Sequence, residues 1–341
     1  MAASRIGAIQ LKSAHQCAGE WAQAEPDLWK DFGNRLNYAH LDYDPDLHRE
    51  QISRYIEHLG AQLERAGEAG LDLVLLPECT LPLGVSRPDS RERLAELCRW
   101  AEPRYLERIA PIARRHQMVI ASCYYRAEGD ALYNDAVLVG ETGDVIGIYH
   151  KVHLPCPLGW ESGEANVFKA GDSYPVFDTR VGRVGALICY DIEFAEAAIC
   201  LALQGVELIL HPTVGYNFPD EEEIVAAARL RTRACDAQAA LIYANFGPQP
   251  GRSAVYAGNG AEVACAGRGV DQLVFADLDL QARRAQDWGG GSKIEDHRDQ
   301  LARKRRPETY RLLVEPRPPL LDGATGPDGR LYEYEAEVGL P

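Results

Sequence analysis

Two stretches far apart in the chain, GLDLVLLPE at 70–78 and GVELILHPT at 205–213, share a glycine, an acid, an apolar run and a proline in register. A short, unbroken apolar run bounded by turn residues is the pattern of a strand buried on both faces. Such a strand has to be covered on each side. A chain that uses one twice, in the same local setting, is expected to consist of two similar halves.

The order of elements around the two runs agrees. RIGAIQL (5–11) reads as a first strand, and Ile52, Ile56, Leu59 and Leu63 give helical spacing over 47–69. A second helix is expected at about 91–116, followed by the strands MVIASCYY, LYNDAVLVG and DVIGIYHKVHL. The second half runs GRVGALICYD, a helix, VELILHPT, a helix at about 221–238, then ALIYANFG, SAVYAG and QLVFADLD. Strands alternating with helices predict an α/β fold, its sheets covered by helices or packed sheet against sheet with helices outside.

Residues 1–280 are expected to form this domain. Within it, 13–45 carries Trp21, Trp29, Phe32, Tyr38 and Tyr43 on a polar background, which suggests an insertion or arm whose rings dock on the body or on a partner subunit. From 281 to 341 a glycine run, a charged helix and a Pro/Gly-rich end predict a C-terminal extension that packs on the body or on a partner.

A net charge of −15 argues against nucleic acid or an anionic membrane as partner, since both reward clustered Lys and Arg. The one basic run, RKRRP at 303–307, reads as an exposed helix end. No apolar stretch resembles a secretion signal or reaches membrane-spanning length, so the expected location is the cytoplasm. Nine cysteines, an odd number without a C-x-x-C pair, suggest reduced thiols and no structural zinc.

Three residues carry the chemistry. Cys189 lies in GALICYDIEFAEAA, where a buried strand gives way to a helix. The free N–H groups at a helix start are expected to lower a thiol's pKa there and to favour negative charge nearby. Glu78 ends the strand LVLLPE among apolar neighbours, a place where a carboxylate pKa is expected to rise and where it can trade protons with a thiol and a leaving amine. Lys151, in GIYHKVHLP, follows a strand between apolar residues, and a buried ammonium can hold an oxyanion. The flanking His150 and His153 are too opposed in an extended segment to act as a metal pair.

LVLLPE, YHKVHLP, GALICYD followed by FAE, and VELILHPT together resemble the nitrilase superfamily of carbon-nitrogen hydrolases, over about residues 5–280. The resemblance implies a four-layer αββα sandwich with two similar halves, assembled as a homodimer or a higher homo-oligomer. It implies that Cys189 attacks the substrate carbon to form a thioester and that Glu78 is general base and acid. Lys151 and the backbone N–H of Tyr190 would stabilise the oxyanion. No metal or organic cofactor is implied. A second glutamate is implied after the lysine; Glu164, ahead of the AGDSYPVF turn, fits, with Glu161 as runner-up. LYND places Asn134 near the site, and Tyr125, Trp160, Pro212, Thr213 and Tyr216 are candidates for the pocket wall.

True nitrilases usually follow the cysteine with Trp-Glu, whereas this chain has Tyr190-Asp191. The amidase and carbamoylase branches therefore fit better, and the expected substrate is a small amide or N-carbamoyl compound. Amidases with carboxylate-bearing substrates resemble CYDIEFAE but carry arginine where Glu193 stands. A lone acid there would repel a carboxylate, which predicts a neutral or cationic substrate unless Arg229, Arg231 or Arg233 compensates. The competing expectations are a nitrile substrate, a non-hydrolytic acyltransferase or scaffold, and a Cys-His thiol enzyme using His153 or His211.

Overall fold

The computed structural model describes residues 3–36, 42–83, 90–155, 163–215, 220–248, 251–282 and 285–315. They fall into two compact units that divide after Ala282. In the first unit, β1 (Ser4–Gln10) is followed by helices α1 (Ala14–Ala24), α2 (Pro26–Trp29), α3 (Phe32–Arg35) and α4 (Pro45–Glu68). Next come β2 (Leu73–Leu75), α5 (Arg91–His116), β3 (Val119–Glu128), β4 (Ala131–Val139), β5 (Val145–His150) and α6 (Glu164–Val167). The second half holds β6 (Val176–Thr179), β7 (Gly182–Ala186), α7 (Ala195–Leu203), β8 (Leu208–Pro212), α8 (Asp220–Ala237), β9 (Ala240–Ala244), β10 (Ala254–Tyr256), β11 (Glu262–Cys265) and β12 (Gln272–Leu278).

Two six-stranded sheets result, ordered β12-β1-β2-β3-β4-β5 and β11-β10-β9-β8-β7-β6. Each has three parallel strands at its heart, β1-β2-β3 in one and β7-β8-β9 in the other, with antiparallel strands outside. Alternation along the central strands sorts side chains into layers. Leu73 and Leu75 join Leu208, Leu210, Ile6 and Val255 between the sheets. Val74 faces Ile52, Leu59 and Ile109 of α4 and α5, while Ile209 faces Leu201 and Leu230 of α7 and α8. The expected αββα sandwich is therefore present.

The repeat seen in sequence is physical down to single hydrogen bonds. Gly70 and Gly205 have φ of +75° and +78°, left-handed values that glycine adopts without a Cβ penalty. Each closes the preceding helix in the same way: Leu71 N–H bonds to Ala66 O and Val206 N–H to Leu201 O. The acid two residues beyond each glycine accepts from the neighbouring parallel strand, Asp72 from Arg5 N–H at 2.8 Å and Glu207 from Arg183 N–H at 2.9 Å.

The aromatic segment after β1 docks on the body. Trp29 is buried against Ala18 and Leu47, with Trp21 beside it; Tyr38 lies outside the described residues. In the second unit, β13 (Gln286–Gly289) pairs antiparallel with β14 (Ser292–Ile294), and α9 (His297–Lys304) ends in exposed Arg303 and Lys304. No described helix is long and apolar enough to cross a membrane.

Candidate active site

Three strand ends meet at one place. Glu78 follows β2, Lys151 follows β5 in the same sheet, and Cys189 follows β7 in the other. Glu78 is buried, its Oε1 accepting from Lys151 Nζ at 2.9 Å and from Asn134 Nδ2 at 2.8 Å. Its Oε2 accepts from the Val214 N–H at 3.0 Å, just past β8. Glu164, the first residue of α6, brings its two oxygens to 3.1 and 2.9 Å from the same ammonium. Asn134 donates to Glu164 as well, at 3.4 Å, so the ammonium and the amide hold both carboxylates. Glu161 lies outside the described residues.

Cys189 opens a short 3-10 turn, Cys189–Glu193, rather than an α-helix; α7 begins at Ala195. Its φ is +44°, and Cys79, directly after Glu78, has φ +54°. A left-handed residue other than glycine costs about 1–2 kcal/mol, so tertiary contacts must hold both turns. Asp191 supplies contacts at the first. Fully buried, it accepts from the Ile188 N–H at 2.9 Å, Tyr149 OH at 2.7 Å and the His153 N–H at 2.9 Å. It thereby ties the nucleophile turn to the segment on either side of Lys151. Sequence reasoning had assigned no role to Asp191, Tyr149 or the Val214 N–H, although the acid two residues past Cys189 was visible.

The electrostatics correct two expectations. Burial is the largest influence on Glu78 and pushes its pKa up, but the Lys151 charge and the bonds from Lys151, Val214 and Asn134 together hold it below the usual glutamate value. The raised carboxylate is Glu164, where burial and the neighbouring Glu78 charge outweigh Lys151. Nor does the turn depress the Cys189 thiol. Burial and the Glu78 carboxylate push it well up, against Lys151 and a hydrogen bond involving Thr213. Burial works against the Lys151 charge, but Glu78, Cys189 and Glu164 outweigh it and hold the Lys151 pKa well above the usual lysine value, so it remains an ammonium. The resting site thus pairs an ionised Glu78 with a neutral thiol, an arrangement suited to base-assisted attack.

A cavity of about 490 Å³, counting the space at its open mouth, meets Cys189 from the helix side of the second sheet. Tyr190, Glu193 and Thr213 line it, as do His211 and Tyr243. Tyr125 and Pro212 do not: Tyr125 packs at a tilt against Phe168 in the core and its OH accepts from the Cys79 thiol, while Pro212 is buried in β8. Trp160 and Tyr216 lie outside the described residues. Glu193 is not a lone acid, because Arg229 forms an ion pair with it. The predicted repulsion of carboxylate substrates therefore loses its premise. Of the other two arginines, Arg231 lies by Glu262 and Tyr256, and Arg233 donates to the backbone oxygens of Ile192 and Glu193.

Both histidines proposed for a Cys-His pair have other partners. His153 pairs with Asp191 and stacks on Phe194 at 3.6 Å, and His211 Nδ1 meets the Leu187 carbonyl at 2.7 Å. His150 pairs with Asp135. Among the described residues, no group of three or more His, Cys, Asp or Glu side chains could hold a metal ion.

His211 makes a pH prediction. Burial lowers its pKa from 6.5 to about 4. Between those values the unfolded chain binds a proton that the folded chain does not, so stability rises with pH across this window and falls on acidification. The loss on going from pH 7 to pH 4 is expected to be about 3 kcal/mol from this group. Denaturant titrations of His211→Gln should show a shallower decline over the same window; an unchanged slope would exclude His211 as the cause.

Comparison with known proteins identifies the family. The family model for carbon-nitrogen hydrolases matches residues 5–287. A citrullinase of Francisella tularensis is 26% identical over 278 residues, which cover 75% of this chain and 91% of that protein. An N-carbamoylputrescine amidase of Solanum lycopersicum is 26% identical over 229 residues, 61% of this chain and 72% of its own. Among solved structures, an amidase from Nesterenkonia sp. superposes with a TM-score of 0.63 at 23% identity, covering 91% of this chain and 96% of that one.

Proposed function

Given that the chain belongs to the carbon-nitrogen hydrolase family of the nitrilase superfamily, we propose that it hydrolyses a small amide or N-carbamoyl compound through a thioester on Cys189. What supports this most is the convergence of a neutral thiol, an ionised buried carboxylate and a buried ammonium from three strand ends.

In the first half-reaction Cys189 Sγ attacks the carbonyl carbon while its proton passes to Glu78. The oxyanion that forms is held by Lys151 Nζ and the Tyr190 N–H. Collapse of the tetrahedral intermediate breaks the C–N bond, Glu78 returns the proton to the nitrogen, and ammonia or an amine departs. In the second half-reaction Glu78 takes a proton from water, hydroxide adds to the thioester, and the acid leaves as the proton returns to Cys189. Glu164 and Asn134 keep the ammonium and Glu78 oriented. Every step uses groups of this chain and water.

The test is ammonia or amine release by the wild type and Cys189→Ala over neutral amides, ω-amides, N-carbamoyl amines, N-carbamoyl amino acids and nitriles. Cys189-dependent release from an amide or N-carbamoyl class is expected. Release from nitriles alone would make the protein a nitrilase. Loss of activity in His153→Ala or His211→Ala with retention in Glu78→Gln would indicate a Cys-His enzyme instead.

A further inference from the structure

The cavity beside Cys189 carries two opposite charges for which the hydrolytic chemistry has no use, Glu193 and Arg229. Glu193 belongs to the nucleophile turn itself, and Arg229 reaches it from α8. Neighbouring wall residues, Ile192, Ala226 and Leu230, are apolar. We propose that this pair recognises the zwitterionic end of a substrate, an ammonium and a carboxylate on one carbon as in an α-amino acid, whose amide or ureido end lies at Cys189. The proposal rests on the hydrolase assignment above and names its substrate class.

Placement of the pair is fixed by the fold. Arg233, one helical turn beyond Arg229, donates to the carbonyls of Ile192 and Glu193 at 3.1 Å each, which holds α8 against the turn that carries Cys189. Both charged side chains keep partial access to solvent, 31% for Arg229 and 37% for Glu193. An ion pair this exposed contributes little to stability and is easily opened. A zwitterion entering between the two supplies a partner to each, with the guanidinium able to take the carboxylate in a two-pronged bond. A singly charged ligand would instead leave one protein charge without its partner, and a neutral ligand would gain from neither.

The experiment uses the full-length Cys189→Ala protein, which holds ligand uncleaved, and measures equilibrium binding by calorimetry. The probes share a ureido end: a δ-ureido α-amino acid, its decarboxylated amine, its deaminated acid and neutral butylurea, with the ω-amide α-amino acids as a second series. The zwitterion is expected to bind at least about tenfold more tightly than each of the other three, worth about 1.4 kcal/mol. Arg229→Gln in that background should erase the advantage over the decarboxylated amine, and Glu193→Gln the advantage over the deaminated acid. Equal affinities in both series, or the same loss in both variants for all four probes, would overturn the proposal and leave the pair a structural contact. Hydrolysis of butylurea or a simple amide by wild type, dependent on Cys189, is measured alongside. Hydrolysis without zwitterion preference sinks only the specificity, whereas zwitterion binding without Cys189-dependent turnover sinks only the hydrolase assignment.

Discussion

Replacing Cys189 by alanine is expected to reduce hydrolysis by at least about 10⁴-fold, because no other group can form the thioester and the remaining oxyanion donors act only on a slow attack by water. Rapid acid quench of the wild type followed by intact mass measurement should show the chain heavier by one acyl group, an increment absent from Cys189→Ala. Activity of the variant within tenfold of wild type would remove the thioester from the mechanism. Folding should survive, since alanine keeps the Cβ and the turn is fastened by Asp191. The φ of +44° at this position gives an internal check. Cys189→Gly, freed of the left-handed penalty, should be more stable than Cys189→Ala by about 1 kcal/mol. The reverse order would mean that the turn is not strained.

Lys151→Met is expected to damage both activity and stability. Removing one partner from a buried ionic cluster leaves the others uncompensated, at a cost of about 3–5 kcal/mol. Here two carboxylates, Glu78 and Glu164, would face each other without the ammonium that both contact. For a domain of this size that corresponds to a melting temperature roughly 5–9 °C lower. Loss of an oxyanion donor should add a fall in kcat of about 10²- to 10³-fold. The pH dependence identifies the cause. In the variant the crowded carboxylates would have folded pKa values above their unfolded ones, so the folded state binds the extra proton and stability rises as pH falls toward 5. In the wild type only Glu164 acts in that sense, while Glu78 lies below its unfolded value and acts in the opposite one, its contribution lost below pH 4.5. A variant that melts close to wild type, with the same pH profile, would mean that the cluster does not depend on Lys151.

How much of this was legible in the residues differs from feature to feature. Strands such as β2 and β8 could be read because buried parallel strands are continuous apolar runs, and their shared glycine and acid make local bonds that reappear in each half. The helices α4, α5 and α8 begin and end within a few residues of their expected limits, since 3.6-residue periodicity is a local property. Glu78, Lys151 and Cys189 stood out because charged or nucleophilic residues at the ends of apolar strands are costly unless used. Tyr125 and Pro212 were misplaced for a related reason. An aromatic or proline near a strand end carries no local mark of whether it faces a cavity or the core, and here both are buried away from the cavity.

The sequence by itself determined the two halves and the three strand ends, because each follows from patterns spanning a few neighbouring residues, while the αββα layering was implied only by the resemblance to a known family. Only the tertiary structure decided the signs of the charges that act there. Glu78 is ionised, and not raised, because Lys151, Asn134 and Val214 arrive from two other strands and a distant loop. Cys189 is a neutral thiol because burial and the Glu78 carboxylate outweigh the turn on which it sits. Glu193 is half of an ion pair because α8 brings Arg229 to it. Electrostatic free energies depend on distance and burial among groups far apart in the chain, and those are fixed only once the two sheets have packed.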